Sequence, residues 1–214
     1  LLARLSPVGE AIFGQTTVQK ADLDLLLHLV GTRPDTLGDV ARRLSARPLG
    51  EAASLLAERA AAWAERQGKR ARVEVHGRGL LVPPRLAGVL PSVLTHLVRN
   101  AVTHGIEAPD ERVRRGKPAS GTIVIGGEPA GEGVRIVVTD DGAGLTEGAA
   151  LFEPGFTTRS AADDDGGHGM GLAAVVADLR SVGYEVRAEA GPSGGARFVV
   201  EPAGARGSYA GSGS

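Results

Sequence analysis

The sequence predicts an α/β protein, a two-layer sandwich in which helices cover one face of a mixed, mostly antiparallel sheet. Helical patterns dominate the first hundred residues, and strand-like segments then follow at 121–127, 133–140, 184–190 and 196–202. One further helical pattern, over 170–183, interrupts these strands. Helices followed by closely spaced strands favour antiparallel pairing and a separate helical layer.

Composition limits the function classes. The 214 residues are 42% hydrophobic and 23% charged, with a formal net charge of −1, as in an ordinary globular chain. This charge does not favour nucleic acid as a partner. No apolar run approaches the ~20 residues that span a bilayer, so we expect no membrane insertion and a cytoplasmic location. The chain has no cysteine, which excludes disulfides and thiolate metal sites.

The chain divides into three parts. Residues 1–46 show short helical patterns and are predicted to form a helical appendage, and the first residue, Leu rather than Met, indicates a piece of a longer protein. The main part begins with a helix predicted over 49–69 that ends near Gly68, followed by a strand over 71–77. Residues 203–214 are rich in Gly and Ser and are predicted to be a flexible tail.

The segment HLVRNAVTHGIE, residues 96–107, is predicted to be a helix that ends at Gly105. A helix turns about 100° per residue, which places its polar and apolar residues on opposite sides. The polar side consists of His96, Arg99, Asn100, Thr103 and His104. The apolar side consists of Leu94, Leu97, Val98, Ala101 and Val102. An ordinary solvated face would instead carry Lys and Glu.

This polar side has the chemistry of a nucleotide site. The carboxamide of Asn100 suits Mg²⁺, which prefers oxygen ligands and keeps several waters. Arg99 could bind phosphate oxygens, and His96 or His104 could position or deprotonate a nucleophile. Each residue taken alone is an ordinary polar surface group, so the interpretation depends on the glycine-rich loops that follow.

The first such loop is TDDGAGL, residues 139–145, which directly follows an apolar strand. The carboxylate of Asp140 could accept a hydrogen bond from an exocyclic amine such as that of adenine. Gly142 and Gly144 would let the backbone turn tightly and approach a planar ligand. An ordinary Asp-Gly turn is the alternative.

The second loop is DGGHGMGL, residues 165–172, which leads into a helix. Gly167, Gly169 and Gly171 would leave bare N–H groups at the positive end of the helix dipole, a suitable cradle for phosphates. No Lys follows as in a P-loop, and a flexible linker is the alternative. The intervening segment 151–167 has the composition of a mobile lid or of an ordinary surface loop.

Five motifs together resemble the successive boxes of a histidine-kinase ATP-binding domain, most closely the chemotaxis (CheA) class: HLVRNAVTHGIE, DDGAGL, LFEPGFTT, GHGMGL and GPSGGARF. The string PDERVRRGKPASGTI after the first motif is specific to that class. The resemblance covers about residues 47–202 and implies the Bergerat ATP-binding fold of the gyrase, Hsp90 and MutL families.

The resemblance also implies a function. Mg²⁺ and ATP would bind, and the γ-phosphoryl group would pass to a histidine on a separate phosphotransfer domain, with a response regulator downstream. The helices of 1–46 would lie where this class has its dimerisation element, but they are shorter and more broken than that role requires, so a homodimer formed through them and a simple linker are both alternatives.

The resemblance assigns roles residue by residue. Asn100 would coordinate Mg²⁺, His96 would assist phosphoryl transfer, and Arg99 and His104 would line the phosphate side. Asp140 would bind the adenine amino group, with Gly142 and Gly144 shaping its loop. Phe152 and Phe156 would belong to the hinge of the lid. The motif at the start of the helix over the triphosphate would consist of Gly167, Gly169 and Gly171.

Some positions depart from the class pattern. Thr103 stands where Asp is usual, Ala196 where a hydroxyl residue is common, and Tyr184 where a second glycine is usual. The lid lacks the usual lysine and carries three acids, Asp163 to Asp165. Because of these departures, a second interpretation remains: a degenerate kinase that acts as a nucleotide-binding or protein-binding scaffold. A gyrase- or Hsp90-like ATPase fits less well, because His96 replaces the water-activating Glu.

Overall fold

The computed structural model describes residues 45–131, 133–144 and 171–204. The strands are β1 (Arg47–Pro48), β2 (Ala71–Val75), β3 (Leu81–Val82), β4 (Gly121–Ala130), β5 (Gly133–Asp140), β6 (Tyr184–Ala190) and β7 (Ala196–Pro202). The α-helices are α1 (Leu49–Ala52), α2 (Leu56–Arg66), α3 (Pro84–Asn100), α4 (Pro109–Arg114) and α5 (Gly171–Ser181). A π-helical turn, Ala101–Gly105, continues α3.

Five strands form one sheet in the order β2-β4-β5-β7-β6. β2 runs parallel to β4, and every other neighbouring pair in this sheet is antiparallel. The predicted fold class is therefore confirmed. β4 and β5 form a hairpin closed at Gly131, whose φ of 57° is a left-handed conformation that favours glycine.

One face of this sheet is covered by helices. α2 packs on β2, α5 on β6, and α3 packs against both helices as well as against β5. The sheet residues on this face alternate along the strands and are buried, among them Ile123, Ile125, Ile136, Val138 and Val200. Each such aliphatic side chain contributes roughly 1.5–3 kcal/mol on burial.

The amphipathic prediction for residues 94–104 is confirmed on its apolar side. Leu94, Leu97, Val98, Ala101 and Val102 are all at most 2% exposed. The helix also ends at Gly105 as predicted, but its last turn is π-helical rather than α-helical. The Ile106 N–H donates to the Ala101 carbonyl at 2.8 Å, the i to i+5 bond of a π-helix.

The helix predicted over 49–69 is two helices, so this prediction was wrong in one respect. α1 ends at Ala52 and α2 begins at Leu56, although Leu49 and Leu56 are both buried. The start of α1 is fixed from outside the helix. The N–H groups of Leu49 and Gly50 donate to the carbonyls of Leu80 and Arg78, both at 2.9 Å.

Some predictions fall outside the described residues. They are the helical appendage except for its last two residues, the lid with Phe152 and Phe156, the glycines Gly167 and Gly169, and residues 205–214 of the tail. Within the described ranges, no helix is both long and apolar enough to cross a bilayer.

Candidate functional site

Three backbone segments converge at the carboxyl end of β5, where Asp140 lies. They are the end of the π-helical turn at Gly105, the loop 141–144 and the turn 191–195. The Ala143 N–H donates to the Gly105 carbonyl at 2.9 Å, which ties the loop to the helical layer. The sheet and the helical layer therefore meet at this point.

Asp140 is the buried acid at the centre of this convergence, with 2% of its surface exposed. Its Oδ1 accepts hydrogen bonds from the N–H groups of Gly142 at 3.0 Å and Ala196 at 3.3 Å. Both of these bonds reach the same oxygen, and the described residues supply no donor to Oδ2. The carboxylate is thus held in a fixed orientation by one oxygen only.

The protonation of Asp140 reflects opposing influences. Burial raises the pKa of its carboxyl above the ordinary value, and the hydrogen bonds from Gly142 and Ala196 offset part of this effect. The negative charges of Asp141 and Glu107 raise the pKa further. A ligand group that donates a hydrogen bond to this carboxylate would therefore relieve an unfavourable buried charge.

Glycine is required where these segments touch. A β-carbon on Gly142 would lie 2.1 Å from the Gly105 carbonyl oxygen, and one on Gly195 would lie 2.0 Å from the Asp140 carbonyl oxygen. Gly144 has a φ of 89°, and its β-carbon would lie 2.5 Å from the Gly194 carbonyl oxygen. These glycines allow a close approach that larger residues would prevent.

The polar residues predicted on the helix lie on α3 and its π-helical continuation. His96 and Asn100 are half-buried, and Arg99 and His104 are exposed. The π-helical turn connects this polar side to Gly105 and so to the Asp140 loop.

Two of the predicted loops are partly described. Gly142 and Gly144 lie in the loop after β5, and Gly171 is the first residue of α5. Gly167 and Gly169, with Phe152 and Phe156, lie outside the described residues. The structure therefore brings Asp140 and its loop to the end of the polar helix, and the phosphate loop and lid stay predictions.

Within the described ranges, no group of three or more His, Asp or Glu side chains could hold a metal ion. The carboxamide of Asn100 is a neutral oxygen donor that could bind Mg²⁺. Mg²⁺ usually binds through one or two protein oxygens while phosphates and waters complete its shell, so this donor suits an ion that arrives with a nucleotide.

Lys69 is a residue of this region that sequence reasoning missed. Its Nζ donates to the carbonyls of Val102 at 2.8 Å and Thr103 at 2.6 Å, inside the π-helical turn. Burial lowers the pKa of its ammonium, and the charge of Glu107 opposes this. A cation at the end of a helix satisfies carbonyls that the π-helical turn leaves unpaired.

Arg112, Lys117 and Asp141 were also missed. Arg112 is fully buried although it is charged, and it pairs with Glu107 and Asp141. The signal for Arg112 and Lys117 was PDERVRRGKPASGTI, and that for Asp141 was DDGAGL, but neither motif shows what its charged side chains contact.

Two departures from the class pattern have local contacts. The Thr103 hydroxyl accepts a hydrogen bond from Gln67 Nε2 at 3.4 Å, so this side chain faces the connection between α2 and β2. The Tyr184 hydroxyl accepts one from the Val134 N–H at 3.3 Å, and burial raises the pKa of this phenol. Tyr184 thus contributes to the packing of the sheet.

Comparisons with known proteins identify the family of this chain. The profile of the family described as histidine kinase-, DNA gyrase B-, and HSP90-like ATPase matches residues 90–205. The chemotaxis protein CheA of Bacillus subtilis (strain 168) is 36% identical over an alignment of 134 residues, and the match covers 50% of this chain and 20% of that protein. CheA of Cereibacter sphaeroides is 31% identical over an alignment of 183 residues, and the match covers 74% of this chain and 26% of that protein.

Among solved structures, the histidine kinase domain from the Erythrobacter litoralis EL346 blue-light activated histidine kinase is similar over 84% of this chain and 86% of that one. The identity there is 18% and the TM-score 0.47. The chain spans 20% and 26% of the length of the two chemotaxis proteins.

The profile match covers more than half of the 214 residues, and the chain therefore belongs to the family of histidine kinase-, DNA gyrase B- and HSP90-like ATPases. It is a histidine kinase-type ATPase domain, which implies that it uses ATP, and it is similar in sequence to the chemotaxis protein CheA of two bacteria.

Proposed function

We propose that this chain is the catalytic domain of a chemotaxis-type histidine kinase, which binds Mg-ATP and transfers its γ-phosphoryl group to a histidine on a separate phosphotransfer domain. The observation that carries the proposal is the orientation of Asp140. Its Oδ1 is held by two main-chain N–H groups, and its Oδ2 has no donor among the described residues.

This orientation suits adenine. The exocyclic amine of adenine would donate to Oδ2 of Asp140, whereas guanine presents a carbonyl oxygen that a carboxylate repels. A buried polar group that a wrong ligand leaves unpaired costs about 1–3 kcal/mol, so the site would select ATP over GTP. Gly142 and Gly144 would let the loop backbone approach the plane of the base.

The polar side of α3 would face the triphosphate. Asn100 would hold Mg²⁺ through its carboxamide oxygen, and Mg²⁺, when bound, supplies neutralisation of the phosphate charge. Arg99 would pair with phosphate oxygens, and His104 would line the same side. Gly167, Gly169 and Gly171 would donate main-chain N–H groups to the phosphates, and Phe152 and Phe156 would belong to the hinge of a lid that excludes water.

In the transfer step, the bond between the γ-phosphorus and the bridging oxygen of ADP breaks, and a bond forms between that phosphorus and a nitrogen of the acceptor imidazole. ADP leaves with the electron pair of the broken bond. Such transfer depends on positioning and charge stabilisation. His96 would assist by orienting the acceptor imidazole or by taking its N–H proton.

The partners of this reaction are proposals as well. They are a histidine phosphotransfer domain, on the same or another chain, and a response regulator that accepts the phosphoryl group from it. Residues 1–46 would supply a dimerisation element, and the location would be cytoplasmic. These expectations come from the similarity to chemotaxis kinases, whose full length greatly exceeds this chain.

A scaffold that binds nucleotide without transfer is the second candidate. It is favoured by Thr103, whose side chain faces Gln67, and by Ala196, which offers the site only its main-chain N–H. Thr103 lacks the carboxylate, and Ala196 lacks the hydroxyl, that are usual in the class at these positions.

The test is transfer of radiolabelled γ-phosphate from Mg-ATP to a purified phosphotransfer domain of a chemotaxis kinase. We expect an acid-labile phosphohistidine, lost in Asn100→Ala and retained in Ser92→Ala, an exposed position on the same helix. ATP binding without transfer by the unaltered chain would favour the scaffold. Full transfer by Asn100→Ala would contradict the role given to that residue.

A further inference from the structure

The segment 107–118 connects the π-helical turn to β4, the two elements on either side of the Asp140 loop. It contains α4 and most of the signature PDERVRRGKPASGTI, and none of the roles proposed above falls on it. Two of its charged side chains are buried. Arg112 is fully buried, and Glu107 is 6% exposed.

Arg112 links the two ends of this segment to the Asp140 loop. Its Nη1 pairs with Glu107 Oε2 and its Nη2 with Asp141 Oδ2, both at 2.9 Å, while its Nε donates to the Pro118 carbonyl at 2.7 Å. A fully buried guanidinium with two carboxylates is a rigid connection, because removing either partner would leave a buried charge uncompensated.

Lys117 holds the main chain of the same loop. Its Nζ donates to the carbonyls of Asp141 at 2.9 Å and Gly142 at 2.7 Å, and to Glu107 Oε1 at 3.0 Å. An ammonium has three N–H donors, and each has an acceptor here. Burial acts to raise the pKa of Glu107, but the hydrogen bonds from Lys117 and Arg112 outweigh it and hold the pKa below its ordinary value.

Asp141 is restrained from the sheet side as well. Its Oδ1 accepts the Thr122 N–H at 2.9 Å, and its own N–H donates to the Thr122 carbonyl at 3.2 Å. The next residue, Gly142, provides the N–H that holds Oδ1 of Asp140. The Asp141–Gly142 peptide, whose N–H orients the Asp140 carboxylate, is therefore held at its carbonyl oxygen by Lys117, which also holds the carbonyl oxygen of the following peptide.

We propose that the segment 107–118 is a strut for the base-binding loop and that Arg112 and Lys117 are positioning residues which set the preference for adenine. The proposal rests on the proposed function, because it takes the ligand of Asp140 to be a purine base. Neither cation touches the base. They fix the loop whose Gly142 N–H orients Asp140, so their loss would weaken recognition of the base rather than of the phosphates.

The test compares the affinities for Mg-ATP and Mg-GTP by calorimetry in the unaltered chain, in Lys117→Met and in Arg115→Met. Arg115 is the matched control, because it lies on the same segment and near the same Glu107 Oε1, at 3.7 Å, without reaching the loop. We expect Lys117→Met to lower the ratio of ATP to GTP affinity about tenfold, a coupling typical of residues that share contacts, with Arg115→Met unchanged.

The proposal would be overturned by any of three results. The ratio of ATP to GTP affinity could stay unchanged in Lys117→Met, the affinities for both nucleotides could fall equally in that variant, or Arg115→Met could change the ratio as much. Should Lys117→Met fail to unfold cooperatively, Lys117→Gln takes its place, with a smaller fall expected in the same direction.

A second measurement separates this inference from the proposed function. In the ligand-free chain, amide hydrogen exchange of Gly142 and Ala143 should become about tenfold faster in Lys117→Met and stay unchanged in Arg115→Met. Unaltered amide hydrogen exchange of Gly142 and Ala143 in Lys117→Met would contradict the structural role given to the segment 107–118, even if the chain binds ATP. If the unaltered chain binds neither nucleotide, the proposed function and the preference for adenine are both rejected. The hydrogen-exchange result then tests by itself whether Lys117 restrains the loop.

Discussion

The backbones of Gly142 and Gly105 are in direct contact, so close that a β-carbon on Gly142 would lie 2.1 Å from the Gly105 carbonyl oxygen. Gly105 ends the π-helical turn that follows Asn100, and Gly142 provides the N–H that holds Asp140. This contact joins the two halves of the candidate site, so a change in one half displaces the other.

The first prediction follows from that contact. Gly142→Ala should force the loop away from the π-helical turn, because neither backbone can yield without losing the bond between Ala143 N–H and the Gly105 carbonyl. We expect a loss of about 1–3 kcal/mol in the free energy of unfolding and at least tenfold weaker ATP binding. Urea unfolding and calorimetry measure the two effects.

Gly126→Ala is the control for this substitution. A β-carbon on Gly126, within β4, meets nothing within 4 Å, so stability and ATP binding should stay close to those of the unaltered chain. Equal behaviour of the two variants would show that the close approach at Gly142 has no importance.

The second prediction concerns Lys69. Lys69→Met keeps the apolar stem but leaves the carbonyls of Val102 and Thr103 without their ammonium donor. We expect a loss of about 1–2 kcal/mol in the free energy of unfolding, as for hydrogen bonds to charged groups. ATP binding should also weaken, because the π-helical turn sets the relation of Asn100 to Gly105.

Gln67→Ala serves as the comparison, since it removes only a 3.4 Å bond to the Thr103 hydroxyl. It should change both quantities far less than Lys69→Met does. A Lys69→Met chain with unaltered stability and ATP affinity would mean that the π-helical turn holds its shape without this cation.

The third prediction is that Asp140→Asn stabilises the chain at neutral pH. Burial raises the pKa of the folded carboxyl, so the folded protein keeps this proton to a higher pH than the unfolded chain does. The stability from Asp140 is therefore fully present below its ordinary pKa and is lost as pH rises through the raised folded value. Asn cannot ionise and can still accept from Gly142 and Ala196.

Urea unfolding over a range of pH checks this sign. The difference between Asp140→Asn and the unaltered chain should grow in favour of Asn as pH rises through that window and then stay constant. A variant that is less stable than the unaltered chain at neutral pH would show that the carboxylate charge is compensated in the fold.

The fourth prediction concerns the sheet face opposite the helices. Glu201, whose side chain is 4% exposed, pairs with Arg135 at 3.0 Å and Arg187 at 3.1 Å. Glu201→Gln should lower the free energy of unfolding by about 2 kcal/mol at neutral pH, a discounted value because both arginines are partly exposed. Burial acts to raise the pKa of Glu201, but the two arginines outweigh it and lower the pKa.

The lowered pKa gives this effect a pH dependence opposite to that of Asp140. The stability from Glu201 is present above its ordinary pKa and is lost as pH falls through the folded value, so the variant and the unaltered chain should converge in acid. Glu51→Gln, which breaks the exposed pair with Arg47, should change stability by less than about 0.5 kcal/mol. Similar losses in both variants would contradict the account.

Much of the fold could be predicted because its strands and helices follow simple periodicities. The short apolar runs in GVRIVVTD and ARFVVEP predicted the strands β5 and β7 with their observed bounds. The helix break after Ala52 could not be predicted, because it depends on main-chain bonds to Arg78 and Leu80, residues distant in sequence. The π-helical turn likewise has no signature in local propensity.

For the candidate site, the sequence could predict the residues expected to contact a nucleotide, but not the residues that hold them in position. Asp140 stood out only together with the polar helix and the second glycine-rich loop, because a carboxylate followed by spaced glycines is also an ordinary turn. Lys69, Arg112 and Lys117 are charged residues of ordinary frequency, and only the folded chain shows that their cations hold carbonyl and carboxylate oxygens around one loop.

The central claim is that Asp140 binds the base of ATP, and calorimetric titration tests it most directly. The unaltered chain and Asp140→Asn would be titrated with ATP, each with and without Mg²⁺. The account predicts saturable binding by the unaltered chain that is stronger with Mg²⁺, and loss of that binding in Asp140→Asn, a variant expected to be folded. ATP binding of equal strength in both chains would contradict it.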